Sequence, residues 1–129
     1  MSPSTIFMSK IIIVDDSATM RSQVRLALTP GNFELVEAVD GQDGLDKVNA
    51  DPEINVMILD VNMPRMNGIE LAEALASNGR IAKGLSIVML TTEGHAELIQ
   101  RAKAAGAKGW IVKPFKPDLL LAAIQKMAA

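Results

Sequence analysis

Lys10-Ile11-Ile12-Ile13-Val14-Asp15-Asp16-Ser17 is the stretch that sets the architecture. Four successive β-branched residues, with no polar residue alternating between them, are expected of a strand covered by helices on both faces. The run breaks into two carboxylates and a serine. Ser17 is a good helix N-cap, and Met20, Val24, Ala27 and Leu28 follow at i, i+4, i+7 and i+8, so a helix begins there and stops at Pro30-Gly31.

Working outward, the same kind of apolar run recurs three times. Val56 to Leu59 lead into Asp60, Ile87 to Leu90 into Thr91, and Trp110 to Val112 into Lys113. Phe33 to Val39 is less apolar and ends at the turn signal Asp40-Gly41, so it reads as a strand nearer a sheet edge. Helical patterns fill the gaps, at about 41–50, at about 69–77 before Asn78-Gly79, and around Leu98, Ala102 and Ala105 with Gly106 as a stop. That third pattern also offers an outward Glu97/Arg101 pair at i, i+4. A last helix starts near Pro117 and carries Leu120, Ile124 and Met127 on one side. Five strand-helix alternations imply a parallel sheet with right-handed crossovers and helices on both faces. Function in such sheets gathers at the carboxyl ends of the strands, near the point where strand order reverses.

Those strand ends carry Asp15 and Asp16, Asp60, Thr91 and Lys113. One acid at a strand end means little, and Asp15 alone could simply cap the helix beside Ser17. Thr91 suits a strand end for its β-branching, and an isolated lysine more often snorkels to the surface. Three carboxylates, a hydroxyl and an ammonium on one rim mean more. The carboxylates repel one another unless a hard divalent cation or a shared lysine relieves them, and magnesium suits oxygen ligands.

The set resembles the signature of the response-regulator receiver domain of two-component systems, in its stand-alone chemotaxis type. The match covers residues 10–128, leaving 1–9 as a short N-terminal tail. It rests on Val14-Asp15-Asp16-Ser17, on Asp60-Val61-Asn62-Met63-Pro64 followed by Asn67-Gly68, on Thr91-Thr92-Glu93, and on Lys113-Pro114-Phe115. The resemblance implies a flavodoxin-like, doubly wound α/β fold with five parallel strands in the order 2-1-3-4-5 and five helices. It implies that Asp60 is the phosphoacceptor, taking its phosphoryl group from a sensor histidine kinase. Asp15, Asp16, Asp60 and the backbone carbonyl of Asn62 would hold Mg2+, while Lys113 and Thr91 would bind phosphoryl oxygens. Trp110 stands where the family usually has a switching Tyr or Phe, and Trp is a departure whose larger ring and lack of a hydroxyl imply a partial switch. Partners would dock around the fourth helix, fifth strand and fifth helix. The sequence Val14 to Arg21, together with Asn62, is similar to chemotaxis regulators and points to a flagellar-motor target; a phosphorelay intermediate or a regulator of a partner enzyme would share the pocket.

Composition fits this reading. The 129 residues suit one domain, and 49% apolar with 22% charged residues gives enough to bury. A net charge of −2 without a basic run argues against nucleic acid, and the lack of cysteine removes thiolate metal sites and cysteine nucleophiles. The first nine residues carry no basic residue and no long apolar core, so no signal peptide is expected. The longest apolar stretch, Leu119 to Ile124, is far short of the ~20 residues a bilayer needs. A cytoplasmic monomer that signals by binding a partner, with no output domain after Ala129, is the expectation. His95 is expected to be solvated, and Met57 and Met89 to be core. Two enzyme or cofactor readings compete. An Asp-nucleophile phosphohydrolase usually has a second Asp two residues after the first, where this chain has Asn62. A flavin module needs a phosphate loop after Val14, which is missing, and aromatic residues are only 3%.

Overall fold

The computed structural model describes residues 9–61, 63, 66–92 and 96–128. Its elements alternate as the strand runs require: β1 Lys10–Val14, α1 Ala18–Leu28, β2 Glu34–Ala38, α2 Gly41–Ala50, β3 Ile54–Asp60, α3 Gly68–Ser77, β4 Ser86–Thr91, α4 Ala96–Ala105, β5 Gly109–Val112 and α5 Pro117–Ala128. All pairings are parallel and the sheet order is β2-β1-β3-β4-β5, the expected doubly wound arrangement. Among the described residues no helix is long and apolar enough to cross a membrane.

Strand alternation divides the core in two. Ile11 and Ile13 of β1, Val56 and Ile58 of β3 and Val88 and Leu90 of β4 face Val24, Leu28, Leu120 and Ile124 of α1 and α5. Their neighbours Ile12, Val14, Met57, Leu59, Ile87 and Met89 face Leu71, Leu75 and Ala102 of α3 and α4. Both faces of the central strands are therefore dry, at roughly 1.5–3 kcal/mol for each large side chain removed from water. Met57 and Met89 are fully buried, as their strand positions predict.

The helix ends follow local chemistry. Ser17 caps α1 by accepting from the Met20 N–H, and Asn67 with Glu70 forms a capping box on α3. After α1, Thr29–Gly31 forms a 3-10 turn rather than a bare stop, and Asn32 takes a left-handed conformation to enter β2. Gly106 ends α4 at φ 115°, which a side chain would resist.

Two expectations need correction. Trp110 to Val112 reads as a strand covered on both faces, yet β5 is the sheet edge and Val112 is 51% exposed. Arg101 makes its ion pair at 2.9 Å with Glu73 of α3, not with Glu97 one turn away, because α3 and α4 pack side by side.

Candidate functional site

Asp15 follows β1 directly, and four groups fix it. Its N–H donates to the Ala38 carbonyl of β2 (3.1 Å). Its Oδ1 accepts from the Ser17 N–H (2.9 Å), and its Oδ2 accepts from the Lys113 ammonium (3.2 Å). Its own carbonyl accepts from Arg21 Nη1 (2.7 Å). The local turn that a capping role would give and the inward placement thus coexist, since the two carboxylate oxygens serve different partners.

Asp60 ends β3 one strand away and is 7% exposed. Its Oδ1 accepts from Lys113 Nζ at 3.3 Å, so one ammonium joins residues that lie 98 and 53 positions from it in the chain. Lys113 points inward with its side chain 12% exposed, and its own N–H donates to the Thr91 carbonyl at 2.7 Å, tying the end of β5 to that of β4. The Lys113-Pro114 peptide is cis. Thr91 is fully buried at the end of β4, while Asp16 is exposed beside Asp15. Trp110 is half-buried on β5 and packs against the α3/α4 side of the core, with its indole Nε1 buried and without an acceptor among the described residues. Asn62, Pro64, Glu93 and His95 lie outside the described residues.

The electrostatics follow from that crowding. Burial pushes the Asp60 carboxyl above the ordinary aspartate range and the nearby Asp15 charge adds to this, while Lys113 pulls the other way. One ammonium does not offset three carboxylates. An oxygen from each of Asp15, Asp16 and Asp60 lies within 4.8 Å of the others, an all-oxygen donor set with excess negative charge that suits a hard divalent cation such as Mg2+. Beside this rim a cavity of about 480 Å3 opens between α1 and the start of α5, lined by Met20, Leu26, Thr92, Lys113 and Phe115.

The chain that carries this rim is similar to known proteins along most of its length. A profile described as response regulator receiver domain matches residues 11–125. The chain belongs to that family. The receiver domain is 39% identical to the chemotaxis protein CheY1 of Helicobacter pylori over 112 residues, which is 86% of this chain and 90% of that one. It superposes on the structure of CheY4 of Vibrio cholerae with a TM-score of 0.84 at 41% identity, covering 93% of this chain and 98% of the other. A CheY of Borrelia burgdorferi, solved in complex with CheX, BeF3 and magnesium, matches at a TM-score of 0.82 and 28% identity, covering 94% and 90% of the two chains. CheY-like response regulators are signalling proteins, and this receiver domain is of the CheY-like chemotaxis type.

Strand-end reasoning did not reach Arg21 and Glu37. Arg21 holds the Asp15 carbonyl while its Nε donates to Glu37 Oε1 at 2.9 Å. The available signal was Glu37, a second charged residue beside Glu34 in the five-residue strand β2.

Proposed function

We propose that this receiver domain, residues 10–128, takes a phosphoryl group onto Asp60 from a phosphohistidine of a sensor histidine kinase and signals by binding a protein target, the flagellar motor switch in a chemotaxis pathway. The observation that supports the reading is the Lys113 ammonium held 3.2 Å from Asp15 and 3.3 Å from Asp60, which draws the ends of β1, β3 and β5 onto one charged rim. The family supplies the phosphohistidine source, and the relatives named as chemotaxis proteins support the pathway. The Borrelia CheY solved in complex with CheX is a precedent for binding a protein partner.

In this mechanism an Asp60 carboxylate oxygen attacks phosphorus, the O–P bond forms as the P–N bond to the donor imidazole breaks, and the imidazole leaves with the bonding pair. Such transfers ask for positioning and charge stabilisation more than for proton relays. Lys113 moves from its two carboxylates to an oxygen of the transferred group, and the Thr91 hydroxyl donates to another. Asp15, Asp16 and Asp60, with the Asn62 carbonyl, would hold Mg2+, which supplies neutralisation of the charge on the phosphoryl oxygens. The protein thereby assists its own phosphorylation and dephosphorylation, with no separate substrate turned over. The apolar cavity beside Lys113 gives a donor protein a surface to rest on next to the acceptor. The working form is a cytoplasmic monomer.

Intact-mass measurement after incubation with a small phosphodonor and Mg2+ tests the reading. Wild type gains one phosphoryl group and Asp60→Asn gains none; equal labelling of the variant would overturn the assignment.

A further inference from the structure

We infer that Arg21 is a positioning residue for the acidic rim: clamped by Glu37, it holds the β1–α1 turn in the orientation that presents the Asp15 and Asp16 carboxylates to a divalent cation. This rests on reading that rim as the Mg2+ site.

Two of the three rim carboxylates sit on one short turn, and without an ion they repel each other and Asp60. Something must keep the turn from swinging them apart. Arg21, in the first turn of α1, has its side chain only 14% exposed and bonds, among the described residues, to none of the carboxylate oxygens of Asp15, Asp16 and Asp60. Its Nη1 donates to the Asp15 main-chain carbonyl at 2.7 Å, and its Nε donates to Glu37 Oε1 at 2.9 Å. Glu37 is itself immobilised. Its Oε2 accepts from Arg25 (2.8 Å to Nη2), its carbonyl accepts from Lys47 Nζ (2.6 Å), and its Cα lies opposite Ile13 in the β1–β2 register. Despite its burial, the two arginines hold Glu37 below the usual glutamate range, so it stays a charged anchor. The planar guanidinium can span the Glu37 carboxylate and the Asp15 carbonyl at once, because its donors are fixed in a fork. The result is a brace from the edge strand β2 across to the residue that begins the acidic pair.

The brace and the charge of Arg21 act on a bound cation with opposite signs. A positive charge near the rim repels Mg2+ by Coulomb's law, so a purely electrostatic Arg21 would weaken binding and its removal would tighten it. A positioning Arg21 strengthens binding, and its removal costs about tenfold in affinity, the low end for residues that orient metal ligands without touching the metal.

Calorimetric titration of Mg2+ into Arg21→Met, Arg21→Lys and Glu37→Gln, beside thermal melting in EDTA, tests this. Arg21→Met is expected to bind Mg2+ about tenfold more weakly than wild type. Arg21→Lys, which keeps the charge but can make only one of the two bonds at a time, should fall between them, and Glu37→Gln should weaken binding in the same direction. Unchanged or tighter Mg2+ binding by folded Arg21→Met, whatever its melting temperature, overturns the inference. If Arg21→Met does not fold, wild-type affinity in both Arg21→Lys and Glu37→Gln overturns it equally. A wild-type protein that binds no Mg2+ overturns the metal-site reading and this inference together, whereas normal wild-type binding with unaffected variants overturns this inference alone.

Discussion

A Cβ placed on Gly68 would stand 2.2 Å from the carbonyl oxygen of Asp60, and 3.0 Å from the Val61 Cα. Gly68 opens α3 and its N–H donates to the Val61 carbonyl at 2.9 Å, so the helix begins directly against the end of β3. The neighbouring atoms are backbone and cannot rotate away.

Gly68→Ala should therefore displace the Asp60 main chain. Overpacking of this kind costs about 1–3 kcal/mol, to be read from urea denaturation, and the initial rate of phosphoryl labelling should fall with it. Wild-type stability and rate together would show that the close approach imposes no constraint.

Asp60 also sets a pH dependence. Burial, reinforced by Asp15, lifts its native pKa above the ordinary 3.8, so the native state binds this proton more tightly than the unfolded chain does. Stability from that group is complete below 3.8 and is lost as pH rises through the raised native value. Asp60→Asn removes the titration with little change in volume. The metal-free variant should melt above wild type at neutral pH, by a few degrees for about 1 kcal/mol, and the gap should close in acid. Added Mg2+ should narrow the gap at neutral pH by stabilising wild type alone. Melting curves across pH, with and without Mg2+, check all three points, and a variant that melts below wild type at neutral pH would contradict the sign.

Lys113 is the cation already present, so it competes with any other. Lys113→Ala leaves Asp15 and Asp60 buried without their ammonium, and breaking such a pair costs about 3 kcal/mol in the metal-free protein. Mg2+ should bind more tightly to the variant, because a positive charge no longer occupies the rim. Phosphoryl labelling should nevertheless drop at least tenfold under the proposal that Lys113 meets the transferred oxygens. Calorimetry and labelling on the same preparation separate these effects; weaker Mg2+ binding would mean that Lys113 organises the carboxylates instead of competing for them.

The strands and the rim residues were legible because buried parallel strands announce themselves as unbroken apolar runs, and Asp15, Asp60, Thr91 and Lys113 stand at or directly after the ends of those runs, whereas the strand order came from the resemblance. Ile11 to Val14 and Val56 to Leu59 needed no partner to be read. What stayed hidden depended on neighbours. Trp110-Ile111-Val112 reads as apolar whether one face or two is covered, so the sheet edge and the exposure of Val112 did not show. The i, i+4 spacing favoured Glu97 for Arg101, but spacing along one helix cannot foresee Glu73 on the next. The Arg21–Glu37 brace joins residues 16 positions apart that meet only because β2 lies against β1. Spacing within one segment does not encode such a meeting.

Trp110 provides the last test, since the chain holds one Trp and no Tyr and its emission reports a single residue. The half-buried ring borders two cavities. One of about 260 Å3 has Lys103 and Lys108 in its wall, and another of about 410 Å3 has Phe115, Lys116 and Leu119. Among the described residues the indole Nε1 has no acceptor where it lies, an unmade hydrogen bond that costs about 1–3 kcal/mol and that a shift of the ring could recover. Thr91, to which Lys113 is tied through its main chain, pairs with Val112 two residues beyond the ring, so movement at the rim has a short route to it. Mg2+ with beryllofluoride should change the emission intensity or maximum of wild type and leave that of Asp60→Asn unaltered. A spectrum that stays fixed at saturating ligand would remove Trp110 from the switch, because a state change can be coupled to the ring only through contacts that differ between the two states.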